Sequence, residues 1–263
     1  MKLKRFPLSL YRLLQHPQIV FYTLLYFMAL LVTGTIAQKY LGLFPATKQF
    51  FTAFIVWYGI LPLPAGTSVL TLLFINLLCH FIAKSSWNIA HLGVSLAHLG
   101  ALLLLLGGGM TLAQKQEGFI LLRKDQPTQS VYAFDSNGSF DFKLNDKKEL
   151  ALPETKWQLP FALRLENFKQ QYYQGTDVAK AYESDLQLIE GQQAWPVQVA
   201  MNEPYRYKNY TFYQSSVLTL PNNEAVSVVN VVSNPGWLFP YIATAIMFLG
   251  LALHAGIKHH GKK

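Results

Sequence analysis

The sequence predicts an α+β membrane protein: four transmembrane helices, with a β-rich extracytoplasmic domain between the third and the fourth. Three observations carry that prediction. Half of the 263 residues are hydrophobic and only 14% are charged, against about a quarter in an average soluble domain. The charges are unevenly placed: residues 114–234 hold all fourteen acidic residues and twelve of the twenty-two Lys and Arg, so the flanks are basic and free of acid. Four uncharged apolar stretches lie in those flanks.

The first stretch, about 18–38, is uncharged over roughly 20 residues, enough to cross a hydrocarbon layer of ~30 Å at about 1.5 Å per residue. It follows Lys2, Lys4, Arg5 and Arg12. It is longer than the apolar run of a signal peptide and more spans follow, so it reads as a retained helix. The second and third stretches, about 67–83 and 89–112, are separated by Lys84-Ser85-Ser86-Trp87-Asn88, which permits only a tight helical hairpin. The fourth, about 237–257, ends in Lys258-His259-His260-Gly261-Lys262-Lys263. The chain thus divides into an N-terminal membrane region (1–113), an outer domain (114–234) and a C-terminal helix with its tail (235–263).

Between the first two spans, segment 47–61 is itself apolar but too short to cross, and Pro62 and Pro64 stop any helix there. Two arrangements suit it: an interfacial helix with Trp57 and Tyr58 at headgroup level, or a helix packed under the outer domain. The positive-inside rule places the basic N-terminus, Lys84 and the basic C-terminus together in the cytoplasm of a cell inner (cytoplasmic) membrane. Residues 39–66 and 114–234 are then extracytoplasmic.

Short alternating runs mark the outer domain as β-rich: 118–122, 131–134, 140–144, 161–165, 186–189, 197–200, 210–214 and 226–232. Turn signals divide them, among them Asp135-Ser136-Asn137-Gly138, Asn145-Asp146, Pro221-Asn222-Asn223 and Asn234-Pro235-Gly236. About 120 residues suffice for one core, so an antiparallel sandwich or a barrel-like domain is expected.

Chemistry is confined to few residues. Cys79 is the single cysteine, so the chain is no thiol–disulfide carrier, and in an apolar run it reads as a packing residue. Nucleic acid is a poor partner, because the excess positive charge sits in the flanks and no basic face interleaved with aromatics occurs. No span contains Asp or Glu, which weakens an ion-coupled transporter reading. Gly107-Gly108-Gly109 follows no strand and opens no helix, so it reads as close packing or a helix end. The seven histidines, His16, His80, His91, His98, His254, His259 and His260, all lie outside the outer domain, so any imidazole chemistry is within or beside the membrane. His91 and His98 are seven residues apart, which places them within about 20° on one helix face and about 10.5 Å apart along it. That is too far for both to hold one iron. His98 lies well inside the span and His91 near its start. His80, His91 and His254 are expected at similar depth. Ionisable groups inside a bilayer are functional candidates; helix–helix hydrogen bonding is the plainer role.

Sequence blocks in the outer domain are more distinctive. Asn202-Glu203-Pro204-Tyr205-Arg206-Tyr207-Lys208-Asn209-Tyr210-Thr211-Phe212-Tyr213-Gln214-Ser215-Ser216 closely resembles the Asn-x-Pro-x-x-Tyr-x-Gly-Tyr-x-Phe-Tyr-Gln-Ser-Ser block of the ResB (CcsB, Ccs1) family. Pro160-Phe161 through Phe168, Tyr182-Glu183-Ser184-Asp185 and Ser233-Asn234-Pro235-Gly236 resemble further elements of that family. So does His98-Leu99-Gly100 ahead of Gly107-Gly108. Asn209 departs from the family's Gly, and Asn tolerates positive φ. The chain is also shorter than many members.

The resemblance implies a role in System II cytochrome c assembly, with a CcsA/ResC-type membrane partner and apocytochrome c as client. It implies one half of a haem export and cytochrome c haem lyase complex that moves haem b across the bilayer. The family's transmembrane haem-associated histidine maps best onto His98, as ligand of the haem iron, with His91 its rival. Whether the lyase chemistry belongs to this chain or to the partner stays open. The rival class is a non-catalytic, membrane-anchored scaffold that docks a partner or apocytochrome without binding haem.

Overall fold

A computed structural model describes residues 11–260 apart from 12, 136–137, 139, 141–142, 145–149, 152–153, 177–178 and 221–223. The expected turns at 136–137, 145–146 and 221–223 lie outside the described residues, as do the basic residues Lys2, Lys4, Arg5, Arg12, Lys262 and Lys263. The chain forms two compact units: Met1–Gln114 with Gly236–Lys263, and Lys115–Pro235.

The first unit holds four helices long and apolar enough to cross a membrane: α1 Pro17–Leu41, α2 Gly66–Lys84, α3 Ile89–Gln114 and α4 Phe239–His260. Only 11–22% of their most apolar windows is buried within the unit, so their outer faces need an apolar solvent. Local chemistry sets the helix ends. His16 caps α1 through Nδ1, with Pro17 in the first turn, and Gly42 (φ 86°) terminates it. The Asn88 Oδ1 accepts the His91 N–H at 3.1 Å and so caps α3.

The pair α3–α4 packs along a glycine stripe at heptad spacing. A Cβ on Gly93 would lie 2.5 Å from the His254 nitrogen, and one on Gly100 2.8 Å from the Ala243 carbonyl oxygen. Gly107 lies under Phe239, where a Cβ would meet the ring within 2.8 Å. Gly250 faces the Gly93 carbonyl from the other side. This is the small-residue packing that lets helices approach where no hydrophobic effect drives them together. Gly107 is thus a packing residue inside α3, and Gly108 and Gly109 meet nothing.

Segment 47–61 departs from the expected helix. After a helical turn at Leu43–Ala46 and a π-helical turn at Thr47–Thr52, the chain forms a hairpin, β1 Ile55–Tyr58 and β2 Leu61–Pro64. Two prolines in the second strand forbid a helix, and Gly59 (φ 62°) supplies the turn. Val56 inserts beside Leu30, Phe50, Ala65 and Val69.

The second unit is one antiparallel sheet of eight strands in the order β10-β11-β12-β3-β4-β7-β8-β9. The strands are β3 Gln116–Leu122, β4 Thr128–Tyr132, β7 Thr155–Tyr172, β8 Ala179–Glu190, β9 Gln193–Ala200, β10 Tyr205–Tyr207, β11 Tyr210–Thr219 and β12 Ala225–Ser233. Two short strands, β5 Lys143–Leu144 and β6 Leu150–Ala151, pair separately.

The sheet coils so that its edges approach, in the barrel-like form of the two expected. Trp195 of β9 meets Tyr207 of β10 edge to face at 5.7 Å. The curled interior holds Ile120, Leu122, Phe161, Leu163, Leu186, Leu188, Val199, Phe212 and Val231. The opposite face of β3 and β12 is buried too, by Phe119, Leu121, Val226 and Val228 under Phe134 and Phe140. That double burial is why Phe119-Ile120-Leu121-Leu122 reads as an unbroken apolar run. Pro160 stands where β7 shifts register against β4, and just before its pairing with β8 begins at Ala162, so no ladder bond is lost to it.

Candidate functional site

The helical unit brings two imidazoles together. The rings of His80 on α2 and His98 on α3 stand 5.8 Å apart, edge to face at 75°. Helical side chains lean toward their own N-terminus. The two helices run antiparallel from a short link, so His80 leans inward and His98 leans back toward Asn88, and they meet. Of the three histidines expected at similar depth, His254 adjoins Gly93, two residues from His91, while His80 pairs with His98. His91 is exposed, in the first turn of α3, and His98 is half-buried. The side chains of His259 and His260 lie outside the described residues. The Tyr11 hydroxyl donates to the Cys79 carbonyl at 3.2 Å, which places the His80–His98 pair at the end of the unit where α1 begins. No group of three or more His, Cys, Asp or Glu able to hold a metal occurs among the described residues.

Neutral imidazole is a good ligand for haem iron. The pair sits between apolar helices that contain no carboxylate.

The blocks quoted from the outer domain converge in the second unit, but on its interior. Phe161 contacts Tyr207, Tyr210 and Phe212 at 5.1, 5.8 and 6.1 Å between ring centres, and Tyr205 stacks on Phe212 at 6.4 Å. Along β11 the exposed Tyr213 alternates with buried Phe212 and Gln214. Ser184 of β8 donates to the Gln214 Oε1 at 2.8 Å and lies 2.8 Å from the Ser227 hydroxyl. The Gln214 Nε2 donates to Ser227 at 3.0 Å. All three residues are buried. The left-handed residue in the β10–β11 turn is Lys208 (φ 53°), not Asn209; the Lys208 ammonium is tied to Glu190.

On the outer face of β7–β8–β9, Lys169 bridges Glu183 (2.9 Å) and Asp185 (3.2 Å), and the Gln198 amide donates to both carboxylates. The Gln198 hydrogen bond holds Asp185 below the usual carboxylate range, with Lys169 adding to it against partial burial. Hydrogen bonds from Lys208 and then Tyr207 do the same for Glu190.

Sequence reasoning missed Ser227 and Asn76. Asn76 is buried in α2 and donates to the Leu14 carbonyl and, at 3.2 Å, to that of His16. The available signal was a lone polar side chain in an apolar run.

A bundle with paired imidazoles joined to a coiled antiparallel sheet defines a membrane protein with a large polar domain. The ResB-like family profile matches residues 88–233, more than half of the chain, and the chain belongs to that family. No curated protein matches it. Among solved structures it is similar to "Cytochrome c Heme Lyase CcmF", with a TM-score of 0.38 and 9% identity over 73% of this chain. The chain spans about 31% of the length of that protein.

Proposed function

We propose that this protein serves cytochrome c biogenesis as the ResB-like subunit of a System II haem export and haem lyase complex. Membership of the ResB-like family supports the role in cytochrome c assembly. The observation that carries the haem reading is the His80–His98 ring pair between acid-free apolar helices. His98 holds the iron of haem b taken up on the cytoplasmic side, where the basic flanks place the start of α1, and His91 guides its arrival. The polar unit stands on the extracytoplasmic side and faces apocytochrome c and a CcsA/ResC-type partner. Bound haem supplies the vinyl groups that thioether formation consumes; this chain's residues bind and orient.

In the complex with its partner, His98→Ala lowers bound haem, read in the Soret band, and abolishes cytochrome c maturation while the protein still inserts. Added imidazole partly restores both. His91→Ala is milder. Full haem content in His98→Ala together with loss in His91→Ala exchanges the two roles. One observation favours the scaffold instead: the family blocks build the interior of the sheet rather than an exposed site. That reading wins if neither histidine variant changes haem content or maturation.

A further inference from the structure

We propose that Phe50–Ala65 is a re-entrant hairpin seated among the lipid acyl chains at the Leu41 end of α1, rather than a loop on the membrane surface. The first argument is level. The Tyr26 hydroxyl donates to the Pro64 carbonyl at 2.6 Å. Tyr26 lies fifteen residues before the end of α1, so the helix runs about 22 Å beyond that point. The hairpin folds back along this outer half: Gly34 packs under Phe50 and Phe51, and Leu30 packs with Phe50 and Val56. A second pair of contacts fixes the same register. Asn76 bonds the carbonyls of Leu14 and His16. From there to the level of the Tyr26–Pro64 contact is roughly 15 Å of helix on both sides, Pro17 to Tyr26 in α1 and Asn76 to Gly66 in α2. The first residue of α2 is therefore level with the middle of α1.

The second argument is solvent. Over the same levels α1 exposes Met28, Leu31, Val32 and Ile36, a face suited only to hydrocarbon. The hairpin continues it with Phe54, Ile55, Trp57 and Leu61, and with Ile60, which is 96% exposed. No charged residue occurs between Lys48 and Lys84.

The third argument is the backbone. Irregular chain at membrane depth survives only where its polar groups are satisfied. The Phe54 carbonyl accepts from Ala65 N–H (3.0 Å) and the Ser68 hydroxyl (2.6 Å). The Thr52 carbonyl accepts from the Thr67 hydroxyl at 2.8 Å, and the Ala53 carbonyl from the Thr67 N–H at 3.3 Å. Alternate residues of an edge strand turn their N–H outward. In β2 every second residue is Pro62 or Pro64, which have none, and Tyr26 caps the Pro64 carbonyl.

The test uses the full chain in phospholipid nanodiscs without any partner protein. With Cys79→Ala the chain has no cysteine, and single nitroxide labels are placed at Ile60→Cys, Phe54→Cys, Met28→Cys and Tyr173→Cys. Collision with oxygen, which partitions into acyl chains, is compared with collision with a water-soluble nickel chelate. Labels at 60 and 54 are expected to match the lipid-facing Met28 control, with high oxygen and low nickel collision. Nickel collision equal to that at Tyr173, in the polar unit, overturns the proposal. Low collision with both reagents also overturns it, because protein rather than lipid then covers the hairpin.

Discussion

The two units solve the same problem, burying apolar surface, in opposite ways. The sheet unit turns its apolar side chains inward and coils until its edges meet, so it supplies its own core. The helical unit spends its internal contacts on backbone approach, at Gly93, Gly100 and Gly107, and leaves its large side chains facing outward. The difference teaches where sequence identity is informative. In the sheet unit the distinctive residues are structural. In the helical unit they are the few polar groups a membrane tolerates: Asn76, His80 and His98.

Breaking the helical seam is the largest intervention. Gly93→Val drives a side chain into the backbone of α4, and no flexible neighbour can give way. Membrane immunoblots should show the protein lost, whereas Gly108→Ala, which meets nothing, should accumulate normally. In the sheet unit Phe212→Ala removes a fully buried ring from the centre of the core, at a cost of ~3–5 kcal/mol. Amide exchange along β8 and β11 of the full chain should accelerate accordingly. Tyr213→Ala, one position away and exposed, should change it by less than about 0.5 kcal/mol. Next in size is Gln214→Leu, which deprives two buried hydroxyls of a shared partner and costs about 1–3 kcal/mol; Ser184→Ala combined with it should add little.

The smallest effect is pH dependence on the exposed face of the sheet. Asp185 and Glu190 titrate below their unfolded values. Their contribution is therefore present above the unfolded carboxylate pKa of about 4 and fades as pH falls through the folded value. Glu190→Gln should remove that small contribution at neutral pH, flatten unfolding temperature against pH below about 4, and match the unsubstituted protein at the acid end. A neutral-pH loss as large as that of Phe212→Ala would mean that Glu190 closes the sheet edge rather than decorating it.

Much of this was legible in the sequence. Four spans follow from apolar length, and the strands 161–165, 186–189 and 226–232 from alternating or β-branched runs. The hairpin at 55–64 was not, because a short apolar run fits helix and strand alike; only Pro62 and Pro64 hinted at the answer. The His80–His98 pairing was hidden because it depends on the lean of side chains on two helices, not on spacing within one. The turn at Lys208 shows a third limit. Asn209 looked like the residue suited to positive φ, yet the hairpin register puts that conformation one position earlier.

Asn76 carries a consequence for how the chain is made. Its partners, the carbonyls of Leu14 and His16, lie 62 and 60 residues upstream. On the ribosome the first helix therefore enters the bilayer long before the side chain that pins its beginning has been synthesised. Its start stays unfastened until α2 arrives. The start of the first helix is thus fastened by groups of the second span, the Asn76 carboxamide and the Cys79 carbonyl, and the helical unit locks from its second span backward.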